Sequence, residues 1–141
     1  MTMIGIDPHK ATHTAVAIDE NEGVLAEFEL AASPGQSDRL VEWAEVFDDR
    51  VWAIEAANGL GGLVARQLIA AGEPVLDVPP VLASRVRLLG SGRSQKNDPN
   101  DARSVAVAAL RSDPLAQVVP DNDVTVMRVL VKRHRDLAQS K

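Results

Sequence analysis

The chain opens with an unbroken apolar run, Met3-Ile4-Gly5-Ile6, that ends at Asp7. A short run of this kind predicts a strand buried on both faces. Thr12–Ile18 follows as a second strand, and Asp19-Glu20-Asn21-Glu22-Gly23 reads as a turn. Val24–Leu30 alternates, with Val24, Ala26, Phe28 and Leu30 opposite Leu25, Glu27 and Glu29, which predicts a third strand. Tight connections between the three imply an antiparallel meander. Ser33-Pro34-Gly35-Gln36 has the spacing of a capping box with proline at the first helical position. Behind it, Leu40, Val41, Ala44 and Phe47 form the apolar face of a helix.

The second half alternates strands with helices. Val51-Trp52-Ala53-Ile54, closed by Glu55, predicts another doubly buried strand. A helix over Leu60–Ala71 should turn Leu60, Leu63, Val64 and Leu68 inward and stop at Gly72. Val75–Val78 is a short fifth strand before Pro79-Pro80. A helical piece, Val81–Leu89, runs into a loop over Gly90–Gln95, and helix resumes at Asp98-Pro99 to about Leu110. Asp113-Pro114 breaks it. A last helix after Pro120 carries Met127, Leu130, Val131, His134, Leu137 and Ala138 on one side. That stripe has no partner elsewhere in the chain, which predicts a dimerisation helix or a chain cut short of a longer protein.

Composition narrows the class. At 141 residues the chain fits one domain with a sizeable core. It has no cysteine, so disulfides, thiolate zinc sites and cysteine nucleophiles are excluded. The N-terminus enters the first strand at once, which predicts no signal peptide, and no apolar run approaches the roughly 18 residues of a membrane span. A cytoplasmic bacterial protein is expected. Two Phe, two Trp and no Tyr argue against an aromatic stacking platform for single-stranded nucleic acid.

The net charge of −5 and the pI near 5.1 count against nucleic acid as a partner if taken as averages. The distribution reverses that reading. Arg85, Arg87, Arg93, Lys96 and Arg103 crowd one stretch against only Asp98 and Asp101, and Arg128, Lys132, Arg133 and Arg135 follow. Local potential is what meets a phosphate.

Four carboxylates carry the candidate chemistry. Asp7 and Glu55 end buried strands, where a carboxylate is costly unless paired, metal-bound or neutralised. Asp98 and Asp101, three residues apart at a helix start, share one side of that helix. Taken alone, that pair reads better as an N-cap and a helix-dipole partner. Capping leaves Asp7 and Glu55 without a reason. Hard oxygens without Cys or His suit Mg²⁺ or Mn²⁺, and two such ions drive phosphodiester displacement. Three antiparallel strands, a helix, then strands alternating with helices is the order of an RNase H-like fold. There the first and fourth strands are central neighbours, and a late helix can bring Asp98 and Asp101 to Asp7 and Glu55.

The motifs Ile4-Gly5-Ile6-Asp7-Pro8-His9-Lys10, Ala53-Ile54-Glu55-Ala56 and, most specifically, Lys96-Asn97-Asp98-Pro99-Asn100-Asp101-Ala102 resemble those of the DEDD transposases of bacterial insertion sequences. Pilin-gene invertases and bridge-RNA-guided recombinases are relatives in that family. The stretch from Val126 to Leu137 also resembles the start of the family's long connecting helix. The resemblance implies a RuvC-like α/β domain over residues 1–112, a mixed five-stranded sheet flanked by helices. Residues 113–141 would be a linker and the start of a connecting or dimerisation helix. It implies that Asp7, Glu55, Asp98 and Asp101 are catalytic and hold Mg²⁺ or Mn²⁺, as two ions. It also implies DNA and a structured guide RNA as partners, met by Arg85, Arg87, Arg93, Lys96 and Arg103, and a homo-oligomer formed through the last helix. The family's second domain carries a serine proposed as nucleophile, and nothing in this chain corresponds to it.

Two other classes compete. A non-catalytic RNA-binding or oligomerisation module would use the basic residues without the acids. A sugar-kinase or actin-like ATPase also opens with Ile-Gly-Ile-Asp, but its phosphate turn needs small residues and a hydroxyl where Pro8-His9-Lys10 stands. Gly59-Leu60-Gly61-Gly62 lacks the Lys-Ser/Thr of a P-loop and reads as a turn with close helix packing. His9 and His13 read as surface residues.

Overall fold

Strands β1 (Thr2–Pro8), β2 (Thr12–Ile18) and β3 (Val24–Ala31) form an antiparallel meander, as their short connections predict. β4 (Arg50–Glu55) pairs parallel with β1, and β5 (Val75–Val78) parallel with β4, giving one mixed sheet of order β3-β2-β1-β4-β5. The computed structural model describes residues 1–55, 59, 61–91 and 98–112, without the side chains of 88–91 and 98–100. The linker and helix expected over 113–141 lie outside the described residues. Among the described residues, no helix is long and apolar enough to cross a membrane.

Strand parity divides the core. Ile4, Ile6, Trp52 and Ile54 point to the face covered by α1 (Gln36–Ala44) and α2 (Gly62–Ala70), where Leu40, Val64 and Leu68 meet them. Met3, Val51 and Ala53 point to the opposite face, covered by α3 (Pro80–Ser91) and α4 (Asp98–Arg111). Trp52 is fully buried, a side chain whose truncation to alanine typically costs about 3–5 kcal/mol.

Three helix expectations are corrected. Ser33 is not the N-cap of α1: Gly35 occupies that position, with no side-chain cap. Half of the capping box survives as a turn device, because Gln36 Oε1 accepts from the Ser33 N–H at 3.3 Å. Leu63 does not turn inward: it is 55% exposed, because α2 starts at Gly62 and rests its Val64–Leu68 side on the sheet. Helix α3 extends to Ser91, so Gly90 and Ser91 are helical, while residues 92–97 lie outside the description.

Glycines set two close approaches. A Cβ at Gly61 would stand 2.5 Å from Ile54 Cγ2 and 3.2 Å from Pro8 Cγ, so the start of α2 needs a glycine against the sheet. A Cβ at Gly5 would collide with the Ala102 carbonyl oxygen and stand 2.7 Å from the Ala106 nitrogen. Helix α4 thus lays its own backbone on β1, which its buried face of Ala102, Ala106 and Ala109 permits. Gly72, at φ +88°, stops α2 as expected.

Candidate functional site

Ile6 pairs with Ile54 in the parallel β1–β4 ladder, so Asp7 and Glu55, each one residue further on, leave adjacent strands at the same level. Neighbouring strands lie about 4.8 Å apart, and paired residues share a face. That face is the one covered by α4, since Asp7 follows the parity of Met3 and Gly5, and Glu55 that of Val51 and Ala53. Helix α4 reaches this point because Gly5 lets Ala102 touch β1, and Asp101 immediately precedes Ala102. Asp98 is the first residue of α4, one turn earlier. Its carboxylate belongs to the side chains outside the description.

Asp7 is 6% exposed, and its Oδ2 lies 2.9 Å from His9 Nε2. Asp101 Oδ1 lies 3.3 Å from Arg87 Nη1, in contact as a charge but without hydrogen-bond geometry, so that buried oxygen has no hydrogen-bond donor. Arg87 is held in turn by donating from Nη2 to Ser84 Oγ at 3.0 Å. Thr14 pairs across the β1–β2 ladder with Asp7 and faces the same way; its hydroxyl is also buried without a hydrogen bond. Among the described residues, no three of His, Asp and Glu stand together as a ready-made metal cluster. The fold brings Asp7 and Glu55 side by side and sets the first turn of α4 over them.

Of the expected basic contacts, Arg85 is exposed on α3, Arg87 is half-buried against Asp101, and Arg103 is half-buried on α4. Arg93 and Lys96 lie outside the described residues. The structure bears out the surface reading of His9 and corrects that of His13. His9 is exposed but spends its Nε2 on Asp7, and His13 is buried at 5% exposure. Alternation already carried that signal, because His13 shares its face with the fully buried Ala15 and Ala17.

Residues 4–141 match the model of a transposase family, the DEDD transposases of IS110. The 44.8 kDa protein of insertion element IS116 from Streptomyces clavuligerus is 30% identical over 135 residues, which cover 95% of this chain and 34% of that protein. The chain therefore spans about a third of that relative's length. Among solved structures, Thermus thermophilus RuvC in complex with a Holliday junction substrate aligns at a TM-score of 0.56 and 20% identity, covering 77% of this chain and 91% of RuvC. The large terminase nuclease from thermophilic phage G20c aligns at 0.57 and 12% identity, covering 77% and 82%. Likeness at these identities shows the fold, which is the expected RNase H-like, RuvC-like mixed sheet with flanking helices.

Proposed function

The chain belongs to the DEDD transposase family of IS110, and from that premise we propose that it is the metal-dependent catalytic domain of a site-specific DNA recombinase. Asp7, Glu55, Asp98 and Asp101 hold the divalent cation, Mg²⁺ or Mn²⁺, as two ions. The observation that carries this reading is the β1–β4 register, which sets Asp7 beside Glu55 on the face where Gly5 admits the start of α4. The donor set also suits the cation. All four groups are hard carboxylates. In addition, the buried Thr14 Oγ1 and Asp101 Oδ1, without hydrogen bonds in the fold, are what a hydrated cation would satisfy.

Bound there, divalent cations would supply the activation of an attacking oxygen and the stabilisation of a leaving one. The chain's own residues do the rest. Asp7, the most buried carboxylate described, would be a principal ligand, and His9 holds its Oδ2. Arg85, Arg87, Arg93, Lys96 and Arg103 hold DNA and guide-RNA backbone, contacts that position without reading sequence. Residues 113–141 bring copies together.

Calorimetric titration of Mg²⁺ or Mn²⁺ tests the metal reading. Wild type should bind, and Asp7→Asn should bind at least about tenfold more weakly, the lower end of what losing even an outer-shell partner costs. Identical flat traces from both proteins would overturn the proposal. Independently, Arg85→Glu with Arg87→Glu should weaken DNA and RNA binding and reduce its salt dependence, as expected when phosphate contacts are lost.

A further inference from the structure

On the sheet face opposite the carboxylates lies a cleft of about 550 Å³, between the β1–β2 turn, the start of α1 and the start of α2. Its polar part is preorganised. Gln67 Nε2 donates to the Pro34 carbonyl at 3.4 Å, Gln36 Nε2 to Gln67 Oε1 at 2.7 Å, and His13 Nε2 to Gln36 Oε1 at 2.8 Å. With Nε2 donating to Gln36, the other ring nitrogen of His13, Nδ1, is buried without a hydrogen bond among the described residues. His13 and Gln36 are 5% and 3% exposed, so two buried polar side chains join β2, α1 and α2 in one fixed relay. Leu63 and Val64 supply an apolar wall, and Leu63 is one of the few large apolar residues left open to solvent. Lys10 supplies a cation at the rim.

The cleft adjoins the carboxylate site through one residue. His9 lines it and holds Asp7 Oδ2 at 2.9 Å. Resting on the recombinase reading above, we propose that this cleft is a nucleotide subsite. It takes one unpaired nucleotide of the strand whose phosphodiester lies at Asp7, with its base against Leu63 and Val64 and a phosphate at Lys10. An apolar wall, a fixed array of amide and imidazole groups, and a cationic rim match base, base edge and phosphate in turn. The volume lies within the range of small-molecule sites. No Phe, Tyr or Trp is among the described residues that line the cleft, so the base rests on the Leu63–Val64 wall.

Fluorescence anisotropy on the whole chain tests this, with labelled single-stranded DNA and RNA of one sequence and versions of each carrying abasic positions. Leu63→Ser and Lys10→Ala are exposed changes that leave the core alone, and Val46→Ser, an exposed apolar residue just past the end of α1 and outside the cleft, is the control. Each cleft variant should weaken binding of the intact strand at least fivefold, with the control unchanged. Abasic strands should bind wild type more weakly and lose the Leu63→Ser effect. The larger effect should fall on DNA, the strand that the recombinase reading sets at Asp7; an effect confined to RNA would overturn the assignment. Cleft variants that bind like wild type, or abasic strands that bind as well as intact ones, would overturn the subsite. A wild type that bound no oligonucleotide would overturn it too. Calorimetry separates the two proposals: loss of metal binding in wild type sinks the metal reading, whereas cleft variants with normal metal binding and normal strand binding sink only the subsite.

Discussion

Where β1 and β4 begin, charged groups meet partners; where the same strands end, buried polar atoms go without. At the first end, Arg50 Nε and Nη2 donate to the two Glu73 carboxylate oxygens at 2.7 and 3.0 Å, and Trp52 Nε1 donates to Glu73 at 2.7 Å. Arg50 Nη1 also donates to the Ala44 and Phe47 carbonyls at 3.3 and 3.0 Å, so one guanidinium ties the end of α1, β4 and the approach to β5. Arg111, at the end of α4, forks onto Glu22 in the β2–β3 turn at 2.6 and 2.7 Å. At the other end, His13 Nδ1, Thr14 Oγ1 and Asp101 Oδ1 are buried without hydrogen bonds. The starts of α1, α2 and α4 gather there, and helix N-termini favour anions. An end that satisfies its own groups serves stability. An end that brings carboxylates together and leaves three buried polar atoms without hydrogen bonds among the described residues suits the cation proposed above.

The largest expected effect falls on the contact that joins the two ends. Gly5→Ala places a methyl group into the Ala102 carbonyl, and backbone cannot rotate away as a side chain can. Overpacking a core typically costs about 1–3 kcal/mol, and this position belongs at or above that range. Thermal denaturation should show the loss, and metal binding should weaken as the start of α4 lifts from Asp7. A Gly5→Ala protein as stable as wild type would mean that α4 does not rest on β1 as described.

Glu73→Gln comes next and probes the satisfied end alone. It replaces charge-assisted hydrogen bonds from Arg50 and Trp52, each kind worth about 1.5–3 kcal/mol, with weaker neutral ones. Chemical denaturation should report a loss of about 1–3 kcal/mol with metal affinity unchanged. A fall in metal affinity would show that the two ends are coupled. Burial opposes ionisation of Glu73, but the hydrogen bonds from Arg50 and Trp52 and the Arg50 charge outweigh it, holding the carboxyl below its ordinary 4.5. The hydrogen bond from Arg111, against a smaller opposing effect of burial, lowers Glu22 likewise. A carboxyl with a depressed folded value stabilises fully above its unfolded value and loses that contribution as pH falls through the folded one. Stability should therefore drop below about pH 4.5, and Glu73→Gln should flatten that acid limb.

The same contrast explains what the sequence disclosed. Both doubly buried strands were legible because Met3–Ile6 and Val51–Ile54 are continuous apolar runs, and Asp7 and Glu55 stand out at their ends. β2 and β5 have the boundaries that their composition predicts. The meeting of α4 with β1 was not legible, because Gly5 reads as an ordinary strand residue until the helix that needs its missing Cβ is in place. The Arg50–Glu73 pair escaped for a similar reason: its residues are 23 apart, and only the β4–β5 pairing brings them together. Leu63 was misplaced because helical periodicity fixes which residues share a side, while the start of the helix fixes where that side points.

Two smaller perturbations probe the open end. Arg87 and an incoming cation compete for Asp101, so Arg87→Ala should bind metal a few-fold more tightly while binding nucleic acid more weakly. If both weakened, Arg87 would not compete with the cation for Asp101; if both tightened, it would not hold nucleic acid. Thr14→Val is the finest test. Valine keeps the shape of threonine and removes only the hydroxyl, which here is buried without a hydrogen bond. Replacing such a group with an apolar one of equal shape is neutral or stabilising, so metal-free protein should gain up to about 1 kcal/mol. If the hydroxyl instead meets a metal-bound water beside Asp7, the same variant should bind Mg²⁺ more weakly, and Thr14→Ser should restore the affinity. Opposite signs in stability and affinity from one deleted oxygen would mark this end as shaped for its ligand. A Thr14→Val protein that lost stability without metal would place a hydrogen-bond partner on that hydroxyl, and the contrast between the two ends would narrow to Asp101 and His13.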